Sequence, residues 1–191
     1  MQRQNGVLDE QGKISLGRVR SEALRIDQRI EGLLRLADYA KHPLHCESLD
    51  LVDLSSPLQS QRPEAELRIL GPLPAWGDRV LLSEVLQHLV DNAWKYTSKI
   101  ARPIVEIGHT LIAGLEVSYV RDNGMGFEQK YEPTLYMPFQ RLHRESHCAS
   151  AGLGLAIVQR IVHRHGGKIW AEAAVGEGAT FYFTLPASLA A

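Results

Sequence analysis

The sequence predicts an α+β protein in which one long helix precedes a domain of mixed helices and strands. Residues 12–40 repeat apolar side chains every three or four positions, the period of a helix that packs against other helices. After residue 65 the chain alternates between helical patterns and short strand-like runs. Hydrophobic residues make up 45% and charged residues 23% of the 191 positions, a globular balance that excludes a disordered or fibrous chain.

Charge and hydropathy exclude two classes of partner. The 21 basic and 22 acidic residues give a formal net charge of -1, so we expect no binding to nucleic acid. No apolar run approaches the roughly 18–20 residues that span a bilayer, and the first residues are too polar for a secretory signal, so we expect no membrane contact in this fragment. Cys46 and Cys148 lack metal-type spacing and are expected to be free thiols in a cytoplasmic protein.

The long helix carries a seam of apolar residues spaced alternately three and four apart. The seam consists of Leu16, Val19, Ala23, Ile26, Ile30, Leu33, Ala37 and Ala40. Leu24, Leu34 and Leu36 widen it, which favours a helical bundle over a two-stranded coiled coil. We therefore predict a flexible lead-in over residues 1–11, a dimerisation helix over 12–45 and a homodimer through residues 16–40. The alternative is a core helix of a single domain.

Residues 46–191 are predicted to form the second domain. Pro43 ends the helix, and residues 41–63 are expected to be a linker with one short helix near 51–58. Asp78 is a plausible N-cap for a strong helix over 80–96. Another helix is predicted over 152–165, ended by Gly166 and Gly167 and capped by His163 and His165. Strands are predicted over 66–70, 104–111, 115–121, 168–174 and 179–185.

Three glycine-bearing loops lie in the second half, over residues 122–127, 150–155 and 176–181. Glycine lets a backbone approach a ligand closely, and the N–H groups at a helix start favour phosphate. Gly152 and Gly154 meet both conditions because a helix follows them. One such loop alone is usually a plain turn.

Polar residues also share one side of the helix over 80–96. His88 and Asn92 lie four residues apart, and Lys95 follows three residues later. An amide oxygen beside an ammonium suits a hydrated Mg²⁺ that carries phosphates. The alternative is an ordinary polar helix surface.

In combination, these segments resemble the ATP-binding catalytic domain of sensor histidine kinases. Residues 88–97 (HLVDNAWKYT) resemble its asparagine box and residues 138–143 (PFQRLH) its phenylalanine box. Its three glycine boxes are resembled by residues 122–127, 152–158 and 176–181. The amino-acid sequence of the motifs is especially similar to that of phytochrome-type kinases. The resemblance covers about residues 49–186. It implies a two-layer α/β sandwich with a mixed, mostly antiparallel sheet and helices on one face. It also implies that the long helix is the second helix of a dimerisation and phosphotransfer hairpin.

The resemblance implies roles for individual residues. Asp122 would accept a hydrogen bond from the adenine amino group, while Gly124 and Gly126 let the loop pass close to the base. Asn92 would ligate Mg²⁺ and Lys95 would contact phosphate. Arg141 would stabilise the γ-phosphate during transfer. Residues 140–151 would form a mobile lid. The remaining nucleotide-binding residues would be Tyr96, Phe139, Gly152, Leu153, Gly154, Leu155 and Thr180.

The sequence departs from the family pattern at three places. His88 stands where the family has an asparagine, and it is interpreted as a tolerated polar substitute, a magnesium ligand or a catalytic base. Ser150 and Ala151 replace a glycine and a threonine. None of the eight histidines fits the family's phospho-accepting pattern, His-(Asp/Glu)-x-x-x-Pro. We therefore expect a fragment that begins between the two hairpin helices.

The predicted function is the ATP-binding catalytic portion of a two-component kinase, with ATP and Mg²⁺ as cofactors. It would transfer the γ-phosphate to a histidine outside this chain, for relay to an aspartate of a response regulator. Two alternatives stay open: a catalytically degenerate nucleotide-binding dimerisation or regulatory module, and an ATP hydrolase that uses His88.

Overall fold

The computed structural model describes residues 9–41, 43–62, 65–140 and 152–186. The α-helices are α1 Glu10–Lys41, α2 Leu51–Ser55, α3 Arg79–Thr97 and α4 Gly154–Arg164. Short 3-10 helices cover Ser56–Gln61 and Gln129–Thr134. The strands are β1 Cys46–Asp50, β2 Glu66–Ile69, β3 Pro74–Asp78, β4 Ile104–Ile112, β5 Leu115–Asp122, β6 Ile169–Ala174 and β7 Gly178–Phe183.

The main sheet has five strands in the order β2-β4-β5-β7-β6. Strand β2 runs parallel to β4, and every other neighbouring pair is antiparallel. Strands β1 and β3 form a separate antiparallel pair in which Cys46 lies opposite Asp78. The prediction of a mixed, mostly antiparallel sheet in an α+β fold is confirmed.

One face of the main sheet carries the hydrophobic core. Alternate residues of β4, β5 and β7 bury their side chains together with one face of α3 and one face of α4. Fully buried members include Val105, Ile107, Leu86, Leu89 and Ile161. Burying each such side chain stabilises the fold by about 1.5–3 kcal/mol. The packed helices therefore lie on one face of the sheet, as expected.

The opposite face carries an aromatic row. The rings of Trp170 and Tyr182 are stacked with centroids 5.4 Å apart, and those of Tyr119 and Tyr182 are 6.2 Å apart. A side chain on Gly108 would overlap the Tyr119 ring, which lies over that glycine. Such cross-strand aromatic pairs stabilise neighbouring strands.

Helix α1 exposes one apolar stripe and packs a second against the domain. Seam residues Leu16, Ile26 and Ile30 are more than half exposed. On another side of the helix, Leu36 and Tyr39 pack against the core, and the Arg164 guanidinium donates to the Tyr39 carbonyl at 2.5 Å. The helix begins at Glu10, two residues before the predicted start. Within the described residues, no helix combines the length and apolarity of a membrane span.

Strands β1 and β3 were not predicted from the sequence. The short helix predicted near 51–58 is present as α2 and the 3-10 helix that follows it, but residues 46–50 form β1 where a linker was predicted. Neither short strand shows a clear alternation of apolar residues, and each is defined by pairing with the other. The side chain of Asp50 accepts hydrogen bonds from Val52 N at 2.9 Å and Leu73 N at 2.9 Å, which ties α2 to the segment before β3.

The predicted cap at Asp78 is confirmed. Its Oδ1 accepts from Val80 N at 3.0 Å and from Leu81 N at 3.1 Å, at the start of α3. The Asp78 N–H donates to His165 Nε2 at 3.0 Å, and His165 Nδ1 lies 2.8 Å from the Ile161 carbonyl. His165, which caps α4 as predicted, therefore carries its proton on Nδ1 and joins the end of α4 to the start of α3.

Candidate nucleotide-binding site

A cavity that is partly open to solvent lies between α3 and the inner face of the sheet. It brings together segments that are far apart in the sequence: the asparagine box and all three glycine boxes. The lining residues are Asn92, Tyr96, Asp122, Gly126, Phe127, Leu135, Leu155, Ala179 and Phe181. Most of these side chains are apolar, so the cavity suits a flat ring system with few polar groups.

Asp122 supplies the carboxylate of the cavity. It lies at the end of β5, is 4% exposed, and accepts from Gly124 N at 2.8 Å. Burial raises the pKa of Asp122 to about 6, although the N–H groups of Gly124 and Ala179 act in the opposite direction. In its ionised form this side chain is a hydrogen-bond acceptor for an amino group that enters the cavity.

Glycines allow the walls of the cavity to come together. A side chain on Gly126, whose φ is +59°, would overlap the Ala174 carbonyl, and one on Gly178 would overlap the Asp122 carbonyl. A Cβ on Gly124 would lie 2.6 Å from Tyr96 O, at the end of α3. The resemblance implied that Gly124 and Gly126 leave room for a base. The structure gives them a further task, which is to hold the loop against α3 and the β6–β7 turn.

The helix residues of the predicted site divide into two groups. Asn92 and Tyr96 line the cavity, and Lys95 Nζ lies 4.8 Å from the centroid of the Tyr96 ring. His88 does not line the cavity, and its Nε2 lies 3.6 Å from Glu84 Oε2.

Among the described residues, no group of three histidine, cysteine, aspartate or glutamate side chains is arranged to hold a metal ion. A bound Mg²⁺ would therefore depend on Asn92 and on phosphate oxygens.

His88 lies beside the start of α4. A Cβ on Gly154 would be 3.3 Å from His88 Nδ1. The Nε2 atom of His88 is buried and makes no hydrogen bond within the described part of the chain. Desolvation lowers the pKa of His88 below its usual 6.5, against the opposing effects of Glu84 and Asp91. The imidazole is therefore neutral at pH 7.

The second glycine box opens α4, as predicted. Gly152 has φ +71° and its carbonyl accepts from Phe139 N at 2.8 Å. Leu153 is the N-cap and gives the first turn no side-chain hydrogen bond. The backbone N–H groups at Gly154 and Leu155 are therefore available to an anion. Leu155 also lines the cavity.

Three of the predicted nucleotide-binding residues lie elsewhere. Leu153 is buried against Gly32 of α1, and Phe139, which is 40% exposed, lies with its ring centroid 5.8 Å from Arg29 Cζ. The Thr180 hydroxyl is on the other face of the sheet, where it accepts from Arg121 Nε at 3.2 Å. Because side chains alternate along a strand, Ala179 and not Thr180 faces the cavity.

Some cavity residues were missed and some predictions cannot be placed. Ala179 and Phe181 were not singled out, although their alternation along β7 was a usable signal. Leu135 comes from an irregular segment without a periodic signal. Arg141, Ser150 and the rest of residues 141–151 lie outside the described residues.

Comparison with known proteins identifies the family. Residues 77–189 match the model of the histidine kinase-, DNA gyrase B- and HSP90-like ATPases. This chain belongs to that family, and the predicted resemblance is confirmed.

Two curated relatives are similar to most of this chain. Cyanobacterial phytochrome B of Nostoc sp. (strain PCC 7120) is 36% identical over 94% of this chain, which spans 25% of that relative. The adaptive-response sensory kinase SasA of Synechococcus elongatus is 29% identical over 92% of this chain, which spans 48% of it. The chain thus spans a quarter to a half of the length of these two relatives.

Solved structures show the same fold. A mycobacterial sensor histidine kinase, MprB, superposes with a TM-score of 0.65 and 23% identity, covering 73% of this chain and 97% of that one. Full-length ShkA in complex with AMPPNP has a TM-score of 0.68 and 24% identity, covering 95% of this chain and 40% of that one.

Proposed function

We propose that this chain is the ATP-binding catalytic portion of a sensor histidine kinase. It binds Mg-ATP in the cavity and transfers the γ-phosphate to a histidine outside this chain, for relay to a response-regulator aspartate. The observation that carries the proposal is the buried Asp122 carboxylate in an otherwise apolar cavity that reaches Asn92 and Leu155. The family match and the sensor kinases among the relatives support it.

The base end of the cavity accounts for the choice of adenine. Phe127, Leu135 and Phe181 supply apolar walls for a purine, and Asp122 accepts from its exocyclic amino group. Guanine presents a carbonyl oxygen at the equivalent ring position, which the ionised carboxylate would repel. The site therefore discriminates because guanine would bring a carbonyl oxygen against the buried Asp122 carboxylate where adenine brings a donor, the kind of penalty that gives strong selectivity.

The phosphate end lies toward α4. Backbone N–H groups of its first turn would offset the negative charge of the phosphates, and Lys95, whose Nζ lies beside the Tyr96 ring, is assigned to contact them. Asn92, which lines the cavity, would offer an amide oxygen to Mg²⁺, which would neutralise charge on the phosphates when bound. Arg141 is assigned to the γ-phosphate.

The reaction needs only positioning and charge stabilisation from this chain. A neutral imidazole nitrogen of the accepting histidine attacks the γ-phosphorus, an N–P bond forms, the bond to the β-phosphate oxygen breaks, and ADP leaves with the electron pair.

The exposed seam of α1 supports a homodimer through residues 16–40, because such a stripe is stabilised by burial against other helices.

Mg-ATP titration followed by thermal unfolding tests the binding step. At a hundred times Kd, we expect about 2.7 kcal/mol of added stability for the wild type. The Asp122→Ala variant should lose most of that gain. A wild type that gains nothing would reject the proposal, while an equal gain in the variant would remove Asp122 from its role.

The transfer step is tested by supplying a separate hairpin that carries the phospho-accepting histidine. Labelled phosphate should appear on the hairpin only when Mg-ATP and this chain are both present. ATP binding without transfer would favour the degenerate regulatory module. Steady phosphate release that vanishes in His88→Ala would favour the hydrolase, for which the neutral imidazole near the start of α4 is the supporting observation.

A further inference from the structure

The side chain of Gln129 attaches the segment after the first glycine box to the outer edge of the main sheet. Strand β6 is an edge strand in the order β2-β4-β5-β7-β6. The Gln129 amide donates from Nε2 to Ala171 O at 2.8 Å and accepts at Oε1 from Ala173 N at 3.0 Å. It thus bonds to β6 as the peptide group of a further strand would.

Two backbone contacts extend this attachment toward the cavity. Gly176 N donates to Met125 O at 2.8 Å, and Gly126 is held close against the Ala174 carbonyl. Together with Gln129, they join residues 125–129 to β6 and the β6–β7 turn. Of these contacts, only those of Gln129 come from a side chain, so they can be removed without changing the backbone.

The attached segment carries two walls of the cavity. Gln129 lies between Phe127 and Leu135 in the sequence, and both side chains line the base end. A 3-10 helix begins at Gln129 itself and ends at Thr134, directly before Leu135. The position of Leu135 relative to Phe181 on the sheet therefore depends on where Gln129 is anchored.

We propose that Gln129 is a positioning residue for nucleotide binding, which holds the Phe127 and Leu135 walls at the distance that fits a purine base. This role rests on the proposed function. It acts on the base and not on the phosphates, because the anchored segment contacts the end of the cavity that holds Asp122.

The experiment compares Gln129→Ala and Gln129→Glu with Lys130→Ala, measuring Kd for ATP, ADP and AMP by calorimetry. Glutamate keeps the acceptor for Ala173 N but cannot donate to Ala171 O. Lys130 is exposed in the same element and pairs with Glu128, so it serves as the matched control. Binding should weaken about fivefold in Gln129→Ala, the equivalent of one lost hydrogen bond, by the same factor for all three nucleotides, and less in Gln129→Glu.

Equal affinities in wild type and Gln129→Ala would overturn the inference while leaving the proposed function intact. So would a loss that grows from AMP to ATP, because that pattern assigns the effect to the phosphates. A merely structural role would lower the melting temperature without changing Kd below it, and this result would also reject the inference. A wild type that binds none of the three nucleotides would reject the proposed function together with it.

Discussion

Gly32 of α1 and Leu153 at the N-cap of α4 are in such close contact that a side chain on Gly32 would overlap Leu153 Cδ1. Glycine is unfavourable in a helix interior by about 1 kcal/mol relative to alanine. At position 32 its small size lets α1 reach the second glycine box. The contact links the helix to the turn that would present its amides to phosphate.

Alanine substitutions at Gly32 and Gly17 should differ in their effects on stability and on Mg-ATP binding. Gly17 has no atom within 4 Å of an added Cβ, so Gly17→Ala should stabilise the protein by up to about 1 kcal/mol. Gly32→Ala requires the Cδ1 end of the Leu153 side chain to move, so it should stabilise the protein less than Gly17→Ala and weaken Mg-ATP binding. Thermal unfolding and calorimetry check both effects. Identical behaviour of the two variants would show that the contact has no energetic consequence.

Asp122 predicts an opposite pH dependence for stability and for binding. Its pKa is raised from 3.8 to about 6 in the folded state, so the folded protein holds this proton more tightly than the unfolded chain. Its contribution to stability is therefore present below pH 4 and lost as the pH rises through 6. Mg-ATP affinity should change in the other direction, because the ionised carboxylate is a stronger acceptor for the adenine amino group than the protonated carboxyl.

The Asp122→Asn variant isolates this group. The difference in unfolding free energy between variant and wild type should increase by roughly 2–3 kcal/mol between pH 4 and pH 7. Urea unfolding at several pH values measures it, and a difference that stays constant across this range would contradict the raised pKa. The acid-induced loss of Mg-ATP affinity attributed to this carboxyl should be missing from the variant.

His88 should influence stability more than nucleotide binding. Its pKa is lowered by desolvation, so its stabilising contribution is present above pH 6.5 and is lost as the pH falls through the folded-state pKa. The His88→Asn variant should lack this acid sensitivity and bind Mg-ATP with a Kd within about twofold of wild type, since His88 does not line the cavity. Calorimetry at pH 7.5 provides the check, and a tenfold weaker Kd would place His88 in direct contact with the nucleotide.

The exposed seam of α1 should control self-association. Ile26 is 55% exposed, and a charge there should prevent burial of the seam against a second copy. We expect Ile26→Asp to lower the apparent mass in sedimentation equilibrium at micromolar concentration. Val175→Asp is the control, because Val175 is also exposed but lies in the β6–β7 turn. A loss of association in the control alone, or a wild type that is monomeric at this concentration, would contradict the dimer.

The long helices and the central strands were predictable because their periodicity is strong. The α3 pattern from Leu82 to Ala93 and the cap at Asp78 together defined that helix. Strands β1 and β3 were not predictable, since they exist through pairing with each other and not through local preference. The same reason applies to Gln129, whose function depends on an edge strand 42 positions further along the chain.

The site was predicted where motif residues point directly into the cavity, as Asn92, Tyr96 and Asp122 do. Thr180 was assigned to the site because it lies inside a glycine box, but strand alternation turns its hydroxyl away. Assigning the face of each β7 residue first would have selected Ala179. The contact of Leu153 with α1 could not be predicted from the sequence, because it arises from tertiary packing between distant segments.

The two stripes of α1 have a mechanical consequence. At about 100° per residue, the exposed seam and the stripe that holds Gly32 and Leu36 lie roughly a third of a turn apart on a rod about 48 Å long. Helix α1 is continuous from Glu10 to Lys41, so a rotation of its exposed side would also rotate Gly32, which contacts Leu153. A rotation of α1 by about 100°, the angle between neighbouring residues, would move Gly32 away from Leu153, so this contact requires one rotational setting of α1 relative to the start of α4.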